Sequence, residues 1–237
     1  MSGSLYLIPV ALGDSAWQQF LPEQTRAAAC RLQHFVVENA KTARAELKRL
    51  EHPTPMRDIA IEQLPEKPSG ADLDRLLAPA LAGHDLGVMS EAGCPGVADP
   101  GALLVRRAHE KGIPVRPLVG PSSLLLGLMA SGLEGQRFAF HGYLPAREPE
   151  RSKRIVELEK ESRRQDQTQL FIETPYRNAA LFQALLAACH AETRLCVASN
   201  LTLPDESIRS QRIADWKRQP PPDLERRPTV FLLLSAG

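Results

Sequence analysis

The stretch Leu86-Gly87-Val88-Met89-Ser90-Glu91-Ala92-Gly93-Cys94-Pro95-Gly96-Val97-Ala98-Asp99-Pro100-Gly101 decides the fold class. Its first four residues form a short continuous apolar run, the pattern of a strand covered on both faces of a parallel sheet. The loop that follows holds Gly93, Gly96 and Gly101 together with Pro95 and Pro100. The glycines let the backbone approach a ligand closely, and the prolines fix its path. Asp99-Pro100 sets a capping residue before a proline at a first helical turn, which predicts a helix from Ala102 to Glu110, closed by Gly112. Residues 113–118 then read as extended again. Strand, helix and strand in this order make a right-handed βαβ unit, and a sheet of the α/β class follows from it.

Working outward, the same alternation recurs. Residues 5–12, an apolar run ending at Gly13, read as one strand buried on both faces. Residues 23–33 read as helix, 35–37 as a short strand and 42–51 as a charged helix. Ser69 with Asp72 forms a capping pattern for a helix that lines up Leu73, Leu76, Leu77 and Leu81 and ends at Gly83. Beyond the break Val119-Gly120-Pro121, a helix runs from Ser122 or Ser123 to Met129. Strands are predicted at 138–140, 170–172, 195–198 and 229–234, with helices at 149–164 and 177–188. The break divides the chain into two α/β domains, 1–118 and 119–237. Ligands of such folds bind beyond the carboxyl ends of strands or between domains.

Composition narrows the function. The chain has 237 residues, 43% apolar and 24% charged, with a formal net charge of +1. That is an ordinary globular balance, with no bulk electrostatic drive toward nucleic acid or membrane. Local patches carry any RNA binding. Residues 41–57 hold Lys41, Arg44, Lys48, Arg49 and Arg57 against Glu46 and Glu51, and 147–164 is a second mildly basic run. No apolar stretch nears the ~20 residues that span a bilayer. Cys30, Cys94, Cys189 and Cys196 show neither zinc spacing nor a disulfide framework, so no metal site is predicted and a reducing cytoplasm is expected. The phosphate loop G-x-x-x-x-G-K-[ST] and the dinucleotide signature G-x-G-x-x-G are both absent.

Six segments in order resemble one family: Tyr6-Leu7-Ile8-Pro9 with Leu12-Gly13-Asp14; Glu38 to Arg44; Ser90 to Gly101; Gly120-Pro121-Ser122-Ser123; Phe140-x-Gly142-Tyr143-Leu144-Pro145; and Glu173-Thr174-Pro175-Tyr176-Arg177. Together they look like the tetrapyrrole-methylase-like class of S-adenosylmethionine-dependent methyltransferases. Within that class the chain is most similar to the bacterial small-subunit ribosomal RNA 2′-O-ribose methyltransferase branch. The resemblance implies two α/β domains with a cofactor cleft between them, S-adenosylmethionine in that cleft, a small-ribosomal-subunit RNA substrate and a homodimer. Carried over by motif, the cofactor-binding residues are Leu12, Gly13, Glu91, Gly93, Cys94, Ser122, Ser123, Glu173, Thr174 and Ala198. The branch's acidic-Thr-Arg motif, E-D-T-R, stands here as Glu38-Asn39-Ala40-Lys41, and the loop acid is Glu91 in place of Asp.

Transfer to a ribose hydroxyl needs an in-line donor, plus a base or a cation for the developing alkoxide. Glu38, Lys41 and Arg44 follow the strand 35–37 and are the candidate catalytic residues. Arg177, after Pro175-Tyr176 at another strand end, is suited to gripping a phosphate. Among the histidines only His141, inside Phe140-His141-Gly142, stands beside a motif. Two other functions fit the same residues: methyl transfer to a tetrapyrrole or other small acceptor, and cofactor binding without catalysis.

Overall fold

A computed structural model describes residues 2–235. The chain divides into two compact units, the first ending at Ser122 and the second beginning at Ser123. Both are α/β, each built on a five-stranded sheet.

In the first unit β1 (Leu5–Leu7), α1 (Glu23–Ala29), β2 (His34–Val37), α2 (Ala40–Arg49), β3 (Ala60–Gln63), α3 (Gly70–Leu81), β4 (Leu86–Met89), α4 (Gly101–Glu110) and β5 (Val115–Pro117) follow one another. The sheet order is β3-β2-β4-β1-β5, and every pair is parallel. All four residues of β4 are buried, as a strand flanked on both edges and covered on both faces requires. Parallel strands leave the sheet at one end, so the loops after β1, β2 and β4 gather there.

The run 5–12 is not one strand. Pairing continues to Ile8, whose N–H donates to Val88 O at 2.9 Å. Pro9 has no N–H to continue the ladder. Val10 instead makes an isolated antiparallel bridge to Gly93. Ile8, Val10 and Ala11 are all buried, so apolar content alone does not separate strand from buried loop. In α3 the Ser69–Asp72 capping box forms in both directions, but Leu81 is exposed and does not share the buried face of Leu73, Leu76 and Leu77.

The second unit contains α5 (Ser123–Ser131), β6 (Phe138–Tyr143), α6 (Glu150–Gln165), β7 (Thr168–Ile172), α7 (Asn178–Ala188), β8 (Arg194–Ser199), β9 (Ser207–Arg212), α8 (Ile213–Trp216) and β10 (Thr229–Leu234). Its sheet order is β6-β7-β10-β8-β9. Only β6 and β7 are parallel: the last strand enters the middle antiparallel to both neighbours, and the consecutive strands β8 and β9 are antiparallel to each other. The uniform βαβ crossovers expected from sequence therefore hold for the first unit and not for the second. Phe171, Phe182, Leu195, Trp216 and Phe231 fill one core, with Trp216 Nε1 donating to Leu195 O at 2.9 Å. No helix among the described residues is long and apolar enough to cross a membrane.

Candidate functional site

At the carboxyl end of the first sheet, two loops are tied together by backbone. Val10 N–H donates to Gly93 O at 2.9 Å, and Gly93 N–H returns to Val10 O at 3.2 Å. Gly93 has φ +71°, a conformation that disfavours any side chain, and a Cβ there would stand 3.4 Å from Leu12 Cδ2 and 3.7 Å from Pro121 O. Cys94 Sγ donates to the same Pro121 oxygen at 3.3 Å. Burial pushes its thiol pKa up, which keeps it a neutral donor. Leu12, Gly93 and Cys94 thus meet beside Pro121, the residue that precedes Ser122 and Ser123 in the chain. Among the described residues neither of those hydroxyls has a hydrogen-bond partner, and both are half-buried at the start of α5.

Helix α2 fastens the first loop. Glu46, buried, accepts from Ala11 N–H at 3.3 Å and from Arg49 Nη1 at 2.8 Å. Arg49 also donates to Gly13 O at 3.3 Å and pairs with Asp14 at 2.9 Å. Gly13 is therefore held by its carbonyl. Burial raises the Glu46 pKa, and Arg49 opposes that shift. The i,i+3 spacing of Glu46 and Arg49 on a charged helix was the available sequence signal for this clamp.

Glu38 follows β2 directly and is half-buried. Its Oε2 accepts the Glu91 backbone N–H at 3.0 Å. The Glu91 side chain itself is exposed. Burial raises the Glu38 pKa above the ordinary glutamate value; the Glu91 N–H opposes this, while the charges of Asp99 and Glu91 add to it. Asp99 clamps its own loop, accepting Gly96 N–H at 2.9 Å and Gly101 N–H at 2.7 Å. Glu38 lines a cavity of about 340 Å³ with Gln63, Leu64, Pro65, Glu66 and Pro100. Lys41 and Arg44 are not drawn to it. Both lie on the exposed face of α2, without an ion pair among the described residues. Asn39 caps that helix, accepting Lys41 N–H at 2.9 Å and Thr42 N–H at 3.3 Å. Asn and Asp cap about equally well, so the change from the family's Asp keeps the helix start.

The family model described as tetrapyrrole (corrin/porphyrin) methylases matches residues 22–216. The chain belongs to the tetrapyrrole methylase family. It is 34% identical over 69% of its length to the ribosomal RNA small subunit methyltransferase I of Xylella fastidiosa strain Temecula1, of which it covers 59%. It is 33% identical over 66% of its length to the protein of that name from Vibrio cholerae serotype O1, covering 53%. The chain thus spans somewhat more than half the length of these two relatives. The methyltransferase CobJ superposes over 99% of this chain and 95% of its own with a TM-score of 0.65 at 19% identity, a likeness of fold.

The second unit brings a different cluster to a strand end. Glu173 follows β7, and its Oε1 accepts Thr174 N–H at 2.6 Å, Thr174 Oγ1 at 3.1 Å and Arg177 Nη2 at 2.7 Å. Burial pushes the Glu173 pKa up, but the Arg177 and Thr174 donors outweigh it and hold the carboxyl below the usual value. Glu173 Oε2, Arg177 Nε and Asn178 Oδ1 are buried without a hydrogen-bond partner. Ala198 is wholly buried in β8, its Cβ beneath Gly127 of α5, so it offers no side-chain surface. His141 has a packing role: Arg154 Nη2 donates to its Nδ1 at 3.2 Å, which leaves Nε2 to donate to Gln169 Oε1 at 2.6 Å.

Proposed function

We propose that the chain transfers a methyl group from S-adenosylmethionine to a ribose 2′-hydroxyl of small-subunit ribosomal RNA: the names of its relatives supply the RNA, and the family resemblance supplies the hydroxyl. Bound S-adenosylmethionine supplies an activated methyl on a sulfonium centre. The residues present fit it. Gly93 leaves room for close backbone approach, Leu12 gives an apolar wall, and Gly13, Glu91 and Cys94 lie on the same two loops. The free hydroxyl of Ser122 suits a carboxylate. In the second unit, Ser123, Glu173 and Thr174 are the residues the family resemblance assigns to the donor, and Glu173 Oε2 is buried there without a partner. Ala198 contributes through burial alone.

The observation that carries this reading is Glu38. It is a half-buried carboxylate at a strand end, held by one N–H, without a cation, on the wall of a cavity. A carboxylate whose pKa is raised toward neutrality is a stronger base than an ordinary one. Glu38 takes the 2′-hydroxyl proton as the oxygen–methyl bond forms. Lys41 and Arg44, exposed and unpaired among the described residues, hold backbone phosphate. Lys41→Ala and Arg44→Ala lower kcat/KM while the cofactor Kd stays constant.

A ribosomal substrate is met in the cytoplasm, the compartment this reading implies. A homodimer is the assembly that the family resemblance implies, with Leu125 and Met129, one turn apart on α5 and 52% and 80% exposed, as its apolar contact. Leu128 of the same helix is buried within its own unit, so the contact face is narrower than the leucine run suggests. Sedimentation showing a monomer at micromolar concentration rejects the dimer. The test of function is transfer of tritiated methyl groups to small ribosomal subunits from cells lacking this activity. Incorporation at a ribose hydroxyl supports the reading, and its absence with active cofactor-bound protein overturns it.

A further inference from the structure

Two of the chain's three tyrosines, Tyr143 and Tyr176, are 58% and 76% exposed. They stand at neighbouring places. Tyr143 ends β6 in register with Ile172, the last residue of the parallel strand β7. Tyr176 lies in the single 3₁₀ turn Pro175–Arg177 that leaves β7. Arg177 is within electrostatic reach of both phenols, and its guanidinium carbon sits 5.6 Å from the centroid of the Tyr176 ring. Glu173, with no exposed side-chain surface, fixes Arg177 from below, while Arg177 keeps 37% of its own side chain exposed.

Two exposed rings beside a planar, pre-oriented cation offer aromatic and guanidinium faces to solvent. Packing inside the unit does not account for them, because the rings remain in solvent. A concave apolar groove would suit a peptide helix; this surface suits unpaired bases, which stack on aromatic rings and on guanidinium planes. Arg147, four residues beyond Tyr143, is exposed and has no ion pair among the described residues, so a phosphate contact is available alongside.

We propose that Tyr143, Tyr176 and Arg177 form a stacking platform for bases of single-stranded RNA. This rests on the methyltransferase reading. Thr174, assigned above to the methyl donor, lies two residues before Tyr176, so a strand stacked here is held next to that residue. Arg177 acts as a positioning group: it keeps the plane beside Tyr176 and is itself kept by Glu173.

The full-length protein is titrated into a fluorescein-labelled pyrimidine oligoribonucleotide, with binding read by anisotropy at several salt concentrations. Tyr176→Leu and Tyr143→Leu each weaken binding by roughly 5- to 100-fold, the size of one lost base stack, without changing the salt slope. Tyr176→Phe keeps the ring and restores affinity. Arg147→Ala lowers the salt slope by about 0.7, one phosphate contact. Circular dichroism confirms that the leucine variants are folded. The platform is overturned if both leucine variants bind as tightly as the parent protein, or if the parent binds no oligoribonucleotide. Methyl transfer to small subunits, assayed in parallel, separates the two readings. A parent that methylates subunits, with leucine variants of equal affinity and rate, removes the platform and leaves the activity. A parent that transfers no methyl but binds the oligoribonucleotide through its tyrosines removes the activity and leaves the platform.

Discussion

Glu38 and Glu173 occupy the same place in their respective units, the first residue after a parallel strand, and their environments are opposite. Glu38 has a single N–H donor and the negative charges of Asp99 and Glu91 nearby, and its pKa is raised. Glu173 has three donors on one oxygen, one of them a guanidinium, and its pKa is lowered. The route of the chain makes the difference. After Glu173 a 3₁₀ turn brings Arg177 back over the carboxylate. After Glu38, Asn39 starts a helix that turns Lys41 and Arg44 to solvent. One acid is left poised to exchange a proton, and the other is locked as an anion that holds a cation in place.

The comparison breaks first at Glu38. Glu38→Gln keeps the shape and removes the base, so kcat for methyl transfer falls by about 10²- to 10⁴-fold while thermal stability holds or rises. A rate equal to that of the parent protein means that Glu38 is a spacer. Next is Arg177→Met. It leaves the buried Glu173 carboxylate with Thr174 donors only, at a cost of roughly 2–3 kcal/mol, measured by urea unfolding. A loss below ~0.5 kcal/mol would show that Glu173 escapes to water or takes up a proton without penalty.

Gly93→Val asks whether the loops of the first unit serve the methyl donor through their backbone. A branched residue at φ +71° is strained, and its Cβ meets Leu12. Calorimetry should show about tenfold or more weaker S-adenosylmethionine binding with the fold retained. The smallest effect is in pH dependence. The raised Glu38 pKa means that the folded state loses stability as pH rises from the ordinary glutamate value through the folded one. The lowered Glu173 pKa means that its contribution is present above the ordinary value and is lost as pH falls through the folded one. Melting temperatures of Glu38→Gln and Glu173→Gln, each subtracted from the parent protein, therefore change with pH in opposite senses. The Glu38 difference is on the order of 1–2 °C, since that group is only half-buried.

Much of the first unit was legible because its strands are central and continuous in apolar residues. Leu86 to Met89, the capping box at Ser69 and the Gly-rich loop each carry their local cause in sequence. The unread strands, β3 and β9, are both sheet edges. An edge strand pairs on one side only and is free to be polar, and Ala60-Ile61-Glu62-Gln63 and Ser207-Ile208-Arg209-Ser210-Gln211-Arg212 carry no continuous apolar signal. The bend at Pro9 was legible as a proline, but its use to bring Val10 against Gly93 was not, because those residues are 83 positions apart.

Sequence by itself determined the alternation of strands and helices, the glycine positions that a tight loop needs, and the resemblance that names the family. Tertiary structure decided direction and partnership. It turned the last strand antiparallel in the middle of the second sheet, and it clamped Gly13 from Arg49. It gave Glu38 no cation and Glu173 a guanidinium. Strand propensity depends on neighbours along the chain, whereas the charge state of a carboxylate depends on neighbours in space. Only folding assigns the second kind.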